Sequence, residues 1–564
     1  MASEALSARV KDGPTSTDNP SGVLKAAGAM GAATFLSRIM GLVREQVFAV
    51  FFGAGFATDA FNIAFRIPNL LRDLFAEGAM SAAMVPTFVR VRKEQGDARA
   101  WRLAGLVFRC LFWGVGALTV LGVIFAEPLV AWYASAFRAV PGKFELTVEL
   151  TRVMFPFFPL VALAAAFMGI LNACGKFFWP AFSSALFNLV SIVVGLAMAW
   201  WLPRWGYHPI AGMAVGVVAG GAVQAFSQLP ALYRVGYRWN REGPAWHQEP
   251  ALRGILLLMV PGTLGLAATQ INLLVNSILA TSQGTGAVSW LNYAFRLMQF
   301  PIGVFGVSLA AATLPAFSRS WVEGDAREAS RTAARSLRQV FAVNLPAAAG
   351  LAFLGAPIIQ MIFQYGRFSA GDTAATAGAL AFYSIGLVFY SAVKVLVPVS
   401  YAMGITRVAV GSSVLSVVAN LGLNWWLVSP LGFQGLALGT SLTAALNCCF
   451  LIFYVDRKLA RSGAPRIFPA IFGPFLQQTF LALGMGLVCV GANWGLETWM
   501  MQTLPSDLSV PILALARLIR VGILVALGIA AVAALGRLFR ISDTTESIDF
   551  FWSRVKKRLR TPRT

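Results

Sequence analysis

Apolar stretches of about 20 residues recur from Ala26 to Leu535, separated by short polar connections. That is the length needed to cross about 30 Å of hydrocarbon as a helix. Fourteen such spans are predicted, at about 28–52, 60–88, 103–125, 151–172, 180–202, 210–232, 253–280, 286–314, 339–363, 374–402, 407–428, 433–455, 469–494 and 511–536. The short alternating strands of an outer-membrane barrel do not occur in the pattern. The predicted fold class is therefore an all-α polytopic membrane protein with 14 transmembrane helices. Residues 1–25 are polar and rich in Ser, Asp and Pro, and are expected to be disordered and cytoplasmic. No cleavable signal pattern precedes the first apolar run, which is expected to stay in the membrane.

Composition agrees with this reading: 57% of the 564 residues are hydrophobic and 12% charged, half the charge of an ordinary soluble chain. The net charge of +21 would point to nucleic acid in a soluble protein, but here the excess lies in short loops. The even-numbered loops and the tail carry 28 Lys/Arg, while the odd-numbered loops carry four: Arg138, Lys143, Arg204 and Arg367. Cytoplasmic loops hold such an excess, so both termini are expected in the cytoplasm. The basic tail, 541–564, is expected to be a cytoplasmic segment drawn to anionic headgroups, so membrane lipids are partners and nucleic acid is not. Five scattered cysteines and two histidines show no metal or disulfide spacing.

The chain also repeats. Ala64-Phe65-Arg66, leading to Val85-Pro86-Thr87-Phe88, matches Ala294-Phe295-Arg296, leading to Leu314-Pro315-Ala316-Phe317, at an offset of 229–230. Ser183-Ser184 through Trp200-Trp201 matches Ser412-Ser413 through Trp425-Trp426, and the pair Gly212/Gly216 recurs as Gly435/Gly439. Two pseudo-symmetric six-helix lobes around a central cavity follow, an N-lobe over 26–235 and a C-lobe over 236–460, with two further C-terminal helices over 461–540. Such repeats place a transporter's substrate near the midplane at their interface.

Against this apolar background, Arg38, Arg44, Arg66 and Arg72 stand inside the first two spans, and the duplication pairs Arg66 with Arg296. An ionised side chain at the bilayer centre costs roughly 2.5–3.5 kcal/mol, so a cluster implies a wet cavity and an anionic ligand. Guanidinium grips phosphate oxygens bidentately and keeps its charge. Asn69 stands beside Arg66 and Arg72, while Glu45, Asp59, Asp73 and Glu77 are candidate cavity or gating acids, each also able to serve as an arginine's structural partner. Pro68 and Pro301, inside spans 2 and 8, are candidate hinges. Lys394 is a weaker cation. Asn272, Asn276, Asn420 and Asn424 are expected to hydrogen-bond between helices rather than to bind a cation. There is no phosphate-binding loop, and the loops have no room for a nucleotide-binding domain. No cofactor is expected, and energy must come from the membrane potential, a gradient of Na⁺ or H⁺, or the substrate's own gradient.

These residues resemble a known family. Ser37-Arg38-Ile39-Met40-Gly41-Leu42-Val43-Arg44, Phe52-Gly53-Ala54-Gly55, Ala57-Thr58-Asp59-Ala60-Phe61, Ile67-Pro68-Asn69-Leu70-Leu71-Arg72 and Phe75-Ala76-Glu77-Gly78 are similar to the MurJ (MviN) family of bacterial lipid II flippases, within the multidrug/oligosaccharidyl-lipid/polysaccharide exporter superfamily. Val288-Ser289-Trp290 with Tyr293 and Arg296, and Phe363-Gln364-Tyr365-Gly366, extend the resemblance. It implies alternating access, a cationic cavity formed with Arg38, Arg44, Arg72 and Arg296, and a groove for the undecaprenyl tail along spans 13 and 14. It further implies lipid II as substrate, the bacterial cytoplasmic membrane as location, a role in cell-wall biogenesis and cell shape, and the cell-wall synthesis machinery as a partner. The chain departs from the family at Glu45, where Asp is common, at Asp73, where a basic residue is common, and at Phe295 and Gln299, where acids often flank the arginine. Competing readings are a flippase for another polyprenyl-diphosphate glycolipid, a multidrug/cation antiporter of the same superfamily, and a membrane scaffold without transport.

Overall fold

A segment dissolved in hydrocarbon must satisfy its own backbone N–H and C=O groups, which leaves apolar runs of this length only the helix. A computed structural model of the chain describes residues 20–73, 79–238, 249–503, 505, 509–541 and 543, the side chains of 20–32, 79–82, 256, 258–269 and 501 excepted. All regular structure among them is helical. The first half contains α1 (Pro20–Phe52), α2 (Phe56–Arg72), α3 (Ala79–Gln95), α4 (Asp97–Ile124), α5 (Ala126–Tyr133), α6 (Lys143–Met154), α7 (Phe157–Ala173), α8 (Phe178–Trp201), α9 (Ile210–Phe226) and α10 (Leu229–Arg234). The second contains α11 (Pro250–Thr281), α12 (Ala287–Pro301), α13 (Val307–Val322), α14 (Ala326–Phe353), α15 (Gly355–Ile362), α16 (Ala370–Ala402), α17 (Thr406–Leu431), α18 (Phe433–Arg461), α19 (Ile467–Thr503) and α20 (Val510–Leu538).

Ten helical segments among the described residues are long and apolar enough to cross a membrane, or eleven if α14 and α15, bent by 73° at Leu354, count as one. These eleven fall on expected spans 3–6 and 8–14. Span 2 runs through residues outside the description, and in spans 1 and 7, which lie in α1 and α11, some side chains are outside it; Glu77, the first 19 residues and the tail beyond Asp543 are outside as well. The helix α1 is described from Pro20 on and so takes in part of the stretch expected to be disordered. Pro301 ends α12 at a π-helical turn, Ile302–Gly306, before α13 continues. A proline removes one ladder bond and crowds the carbonyl four residues back, and a widened turn accommodates both. Pro68, by contrast, is buried within an unbroken α2.

Contacts divide the chain into two units, 1–44 with 75–121 and 153–260, and 45–74 with 122–152 and 261–564. In the first unit, Phe88, Trp101, Phe108, Phe167 and Tyr237 form an edge-packed aromatic core, Phe108 and Phe167 lying 4.7 Å apart at 90°. Here α9 lies on α8 so closely that a Cβ on Gly212 would collide with the Ala199 backbone and one on Gly216 with the Ser191 carbonyl. In the second unit α18 meets α17 the same way: a Cβ on Gly435 would strike the Leu427 carbonyl and one on Gly439 the Asn424 side chain. Each duplicated glycine pair thus performs the same close approach inside its own unit. Asn276 donates to Thr440 Oγ1 at 2.8 Å, and Asn424 donates to Asn276 and Asn420, so three of the four amides join α11, α17 and α18 as expected, while the buried Oδ1 of Asn272 has no hydrogen-bond partner among the described residues.

Replacing Gly216 or Gly439 by alanine is expected to lower stability by about 1–3 kcal/mol through overpacking. Gly422→Ala, at a position in α17 with open space around it, should be neutral or slightly stabilising. Thermal unfolding of the detergent-solubilised protein separates the three, and equal melting temperatures would refute the packing argument.

Candidate functional site

The arginines singled out from the sequence lie on α1, α2 and α12. In the first unit, Arg38 is exposed and makes no ion pair among the described residues, while Arg44 is buried with its guanidinium 5.6 Å from the centre of the Phe187 ring. Asn188 reaches from α8 to the Ser37 carbonyl at 3.4 Å and holds this stretch of α1.

In the second unit the chain leaves α1 through Gly53, whose φ of 70° suits glycine. A Cβ there would lie 2.7 Å from the Arg367 carbonyl, and the Arg367 N–H in turn donates to Val50 O at 2.9 Å. Thr58 closes the turn by donating to Gly53 O at 2.8 Å. One residue on, Asp59 is wholly buried. Its carboxylate meets Lys143 Nζ at 2.9 Å and accepts from Gly286 N at 2.7 Å, Ser289 N at 2.9 Å and Ser289 Oγ at 2.6 Å. Asp59 therefore caps the first turn of α12, where the helix dipole favours an anion. Lys143 is 1% exposed and lies 4.1 Å from the centre of the Phe137 ring.

The partners of this joint obey the repeat. Asp59 and Ser289 are 230 residues apart, the offset that relates Arg66 to Arg296. Asn62 and Asn292 share that offset, and Asn292 Nδ2 donates to Asn62 Oδ1 at 3.3 Å. Equivalent residues touch only beside the axis that exchanges them, so the axis relating α2 to α12 passes between Asn62 and Asn292. Arg66 and Arg296 each stand four residues further along, on the same helix face and about 6 Å away along the axis of each helix.

Around this pair the charges are partly answered. Arg296, 39% exposed, contacts Glu45 at 3.1 Å, and Glu45 is buried. Arg66 is half-buried, pairs with no described carboxylate, and acts electrostatically on Tyr133 and Tyr383. Arg72 grips Asp73 through Nε and Nη2 at 3.0 and 2.6 Å, while Asn69 and Gln270 donate to the other Asp73 oxygen at 3.3 and 3.2 Å. Lys394 is exposed. Of the acids, Asp59, Glu45 and Asp73 are thus each matched to a cation, and Glu77 lies outside the description.

Sequence reasoning passed over Lys143, Ser289, Asn62 and Asn292. The first carried a signal, as one of only four basic residues in loops otherwise stripped of them. It also passed over Arg517 and Arg520, ionisable residues within the last span. Arg520, 7% exposed, bonds Asn493 at 2.8 and 3.1 Å and Glu497 at 2.7 Å. Arg517 donates to the carbonyls of Gln360 and Gln364 at 3.0 and 2.7 Å.

The sequence profile of the family described as "Lipid II flippase MurJ" matches residues 48–539. The chain belongs to this family. MurJ proteins are transporters, not enzymes. The Burkholderia cenocepacia protein named "Lipid II flippase MurJ" is 35% identical over 452 residues, covering 78% of this chain and 86% of that one. The Vibrio cholerae "Probable lipid II flippase MurJ" is 34% identical over 466 residues, covering 78% and 87%. A solved structure described as "Lipid II flippase MurJ, inward closed conformation" superposes with a TM-score of 0.71 at 24% identity, over 90% of this chain and 99% of that one. An inward-facing multidrug resistance MATE transporter of the MOP superfamily gives 0.64 at 16% identity, over 78% and 99%. The MurJ and MATE structures thus share this chain's fold. The MurJ profile takes in Asp59, Arg66, Arg72 and Arg296 and begins after Arg38, Arg44 and Glu45.

Breaking one half of a buried, bonded ion pair costs about 3–5 kcal/mol, because the other charge is left unpaired. Asp59→Asn and Lys143→Met are each expected to lower the melting temperature sharply, and the double variant to lose less than the sum. Strict additivity would show that the two side chains do not act as a pair.

Proposed function

We propose that the protein flips lipid II from the inner to the outer leaflet of the bacterial cytoplasmic membrane by alternating access, with both termini in the cytoplasm. The observation that carries the reading is the placement of Arg66 and Arg296 one turn beyond the touching Asn62 and Asn292 in a chain of the MurJ family. Arg38, Arg44, Arg66, Arg72 and Arg296, with Asn69, supply the guanidinium and amide donors for the diphosphate. Fourteen spans in two repeated lobes, with the last two helices along the polyprenyl tail, complete the expected architecture. The odd-numbered loops put the α1–α2 turn and the Asp59 joint on the extracytoplasmic side, where the joint closes the path and must part to release cargo. Pro301 and its π turn give α12 and α13 a place to flex while this happens.

Energetics favour the direction. An inside-negative potential is worth about 2.3 kcal/mol per elementary charge per 100 mV, so an uncompensated diphosphate gains about twice that on moving outward. A co-transported Na⁺ or H⁺ would lower the gain. An antiporter for cationic drugs needs an unengaged carboxylate beside its cargo, whereas the candidate acids Glu45, Asp59 and Asp73 are held by Arg296, Lys143 and Arg72. Another polyprenyl-diphosphate glycolipid shares the phosphate chemistry and is separated by the assay below. Cell-wall synthesis enzymes downstream are the partners this role implies.

A disulfide or short bifunctional cross-link in Asn62→Cys/Asn292→Cys, in a background free of native cysteines, is expected to abolish appearance of lipid II in the outer leaflet, with reduction restoring it. Arg296→Ala should cut that export by at least tenfold per folded transporter. Normal export by the cross-linked protein would end the proposal, and accumulation of a different glycolipid on the cytoplasmic face after depletion would redirect it.

A further inference from the structure

A hollow of about 740 Å³ lies in the second unit where α18 turns into α19, well away from the arginines on α2 and α12 along the sequence and lined by a different set. Its wall on α18 is written in the sequence: Cys449, Phe453, Arg457 and Arg461 recur every fourth residue, which sets them in one stripe. Across from them stand Arg466 and Phe468 at the start of α19. The stripe is apolar at its membrane-ward end and doubly cationic at the other, a change completed over about 18 Å of helix. Phe453 is 59% and Phe468 49% exposed, so the aromatic end opens outward rather than into the protein core.

One acid borders the hollow, and it is already committed. Asp456 is buried, and its two oxygens accept from the Ile467 and Phe468 N–H groups at 2.6 and 3.0 Å. It ties the α18–α19 turn together and thereby fixes Arg466 opposite Arg457 and Arg461. Three guanidiniums against one internally satisfied carboxylate leave a net positive mouth. A volume of this size lies within the range of small-molecule sites. A soluble anion would match the cationic rim but not the exposed phenyl walls below it, and an apolar ligand would match only the walls.

We infer that this hollow is a binding site for the headgroup of an anionic phospholipid, its phosphate held by Arg457, Arg461 and Arg466 and its upper acyl chains lying against Cys449, Phe453 and Phe468. Basic recesses between spanning helices hold lipid phosphates by the same chemistry. The occupant is a resident lipid and not the transported cargo, so the site stands or falls independently of the flippase reading.

The test is native mass spectrometry of the full-length protein with phosphatidylglycerol and phosphatidylethanolamine at equal molar ratio. The wild type is expected to retain phosphatidylglycerol selectively. Each arginine near a lipid phosphate is worth roughly five-fold in affinity, so Arg457→Gln, Arg461→Gln and Arg466→Gln together should weaken retention on the order of a hundredfold. Should the triple variant fail to fold, Arg461→Gln and Arg466→Gln singly are each expected to lose about five-fold. The triple variant Arg327→Gln/Arg331→Gln/Arg335→Gln, which removes as much charge from α14, should keep wild-type retention. Equal loss in that variant would mean diffuse attraction and overturn the site, as would unchanged retention in the α18–α19 variants. Displacement of the lipid by millimolar inorganic phosphate would also overturn it, by reassigning the hollow to free anions.

Discussion

A carboxylate with no access to water survives in an apolar bundle only if every lone pair is taken, and Asp59 meets that condition with one ammonium, two backbone N–H groups and a hydroxyl. The requirement is strict because a buried charge missing a partner costs several kcal/mol. It dictates the surroundings. α6 must bring Lys143, the chain before α12 must turn at Gly286, where φ is 102° and a Cβ would strike the Trp290 ring, and Ser289 must face α2. With these fixed, α2 and α12 meet at Asn62 and Asn292, and the positions of Arg66 and Arg296 follow from helix geometry alone.

The arginines are consequently not alike. Arg72 is engaged by the adjacent Asp73, which is itself steadied by Asn69 and Gln270. Arg296 shares its charge with Glu45 yet keeps two-fifths of its surface open. Arg66 has aromatic hydroxyls near it and no described carboxylate. Arg66 thus carries no ion pair among the described residues, whereas Arg296 and Arg72 are each engaged by a carboxylate.

Much of this was legible in the chain because hydrophobic length and loop charge are one-dimensional signals. The helical class, the glycine-mediated approaches in each unit and the interhelical amides followed from periodicity and spacing. The pairing of Arg66 with Arg296 came from the repeat, and the contact between Asn62 and Asn292 was implicit in the same offset. What could not be read was the partner of each charge. Nothing in sequence joins Asp59 to Lys143, 84 residues away, or Arg296 to Glu45, because ion pairing depends on which helix faces turn together. The π turn after Pro301 and the 73° bend at Leu354 were likewise out of reach, since a proline or glycine permits a break without saying how large it is.

The C-terminal helices show how a buried charge can make an appendix integral. A guanidinium in a spanning helix must be answered, and Arg520 is answered by Asn493 and Glu497 of α19, which fastens α20 to its neighbour. Three residues earlier, Arg517 takes two carbonyls at the end of α15, where a short helix leaves its last C=O groups without intrahelical donors. The guanidinium also lies 5.0 Å from the centre of the Tyr365 ring. The loop that follows, through Gly366 and Arg367, packs on Val50 and Gly53 so tightly that a Cβ on Gly366 would strike the Val50 carbonyl. That turn leads directly into Asp59. Helices that the internal repeat leaves unmatched are thus held, contact by contact, against the segment that fixes α2 to α12, and none of those contacts requires a residue outside the second unit.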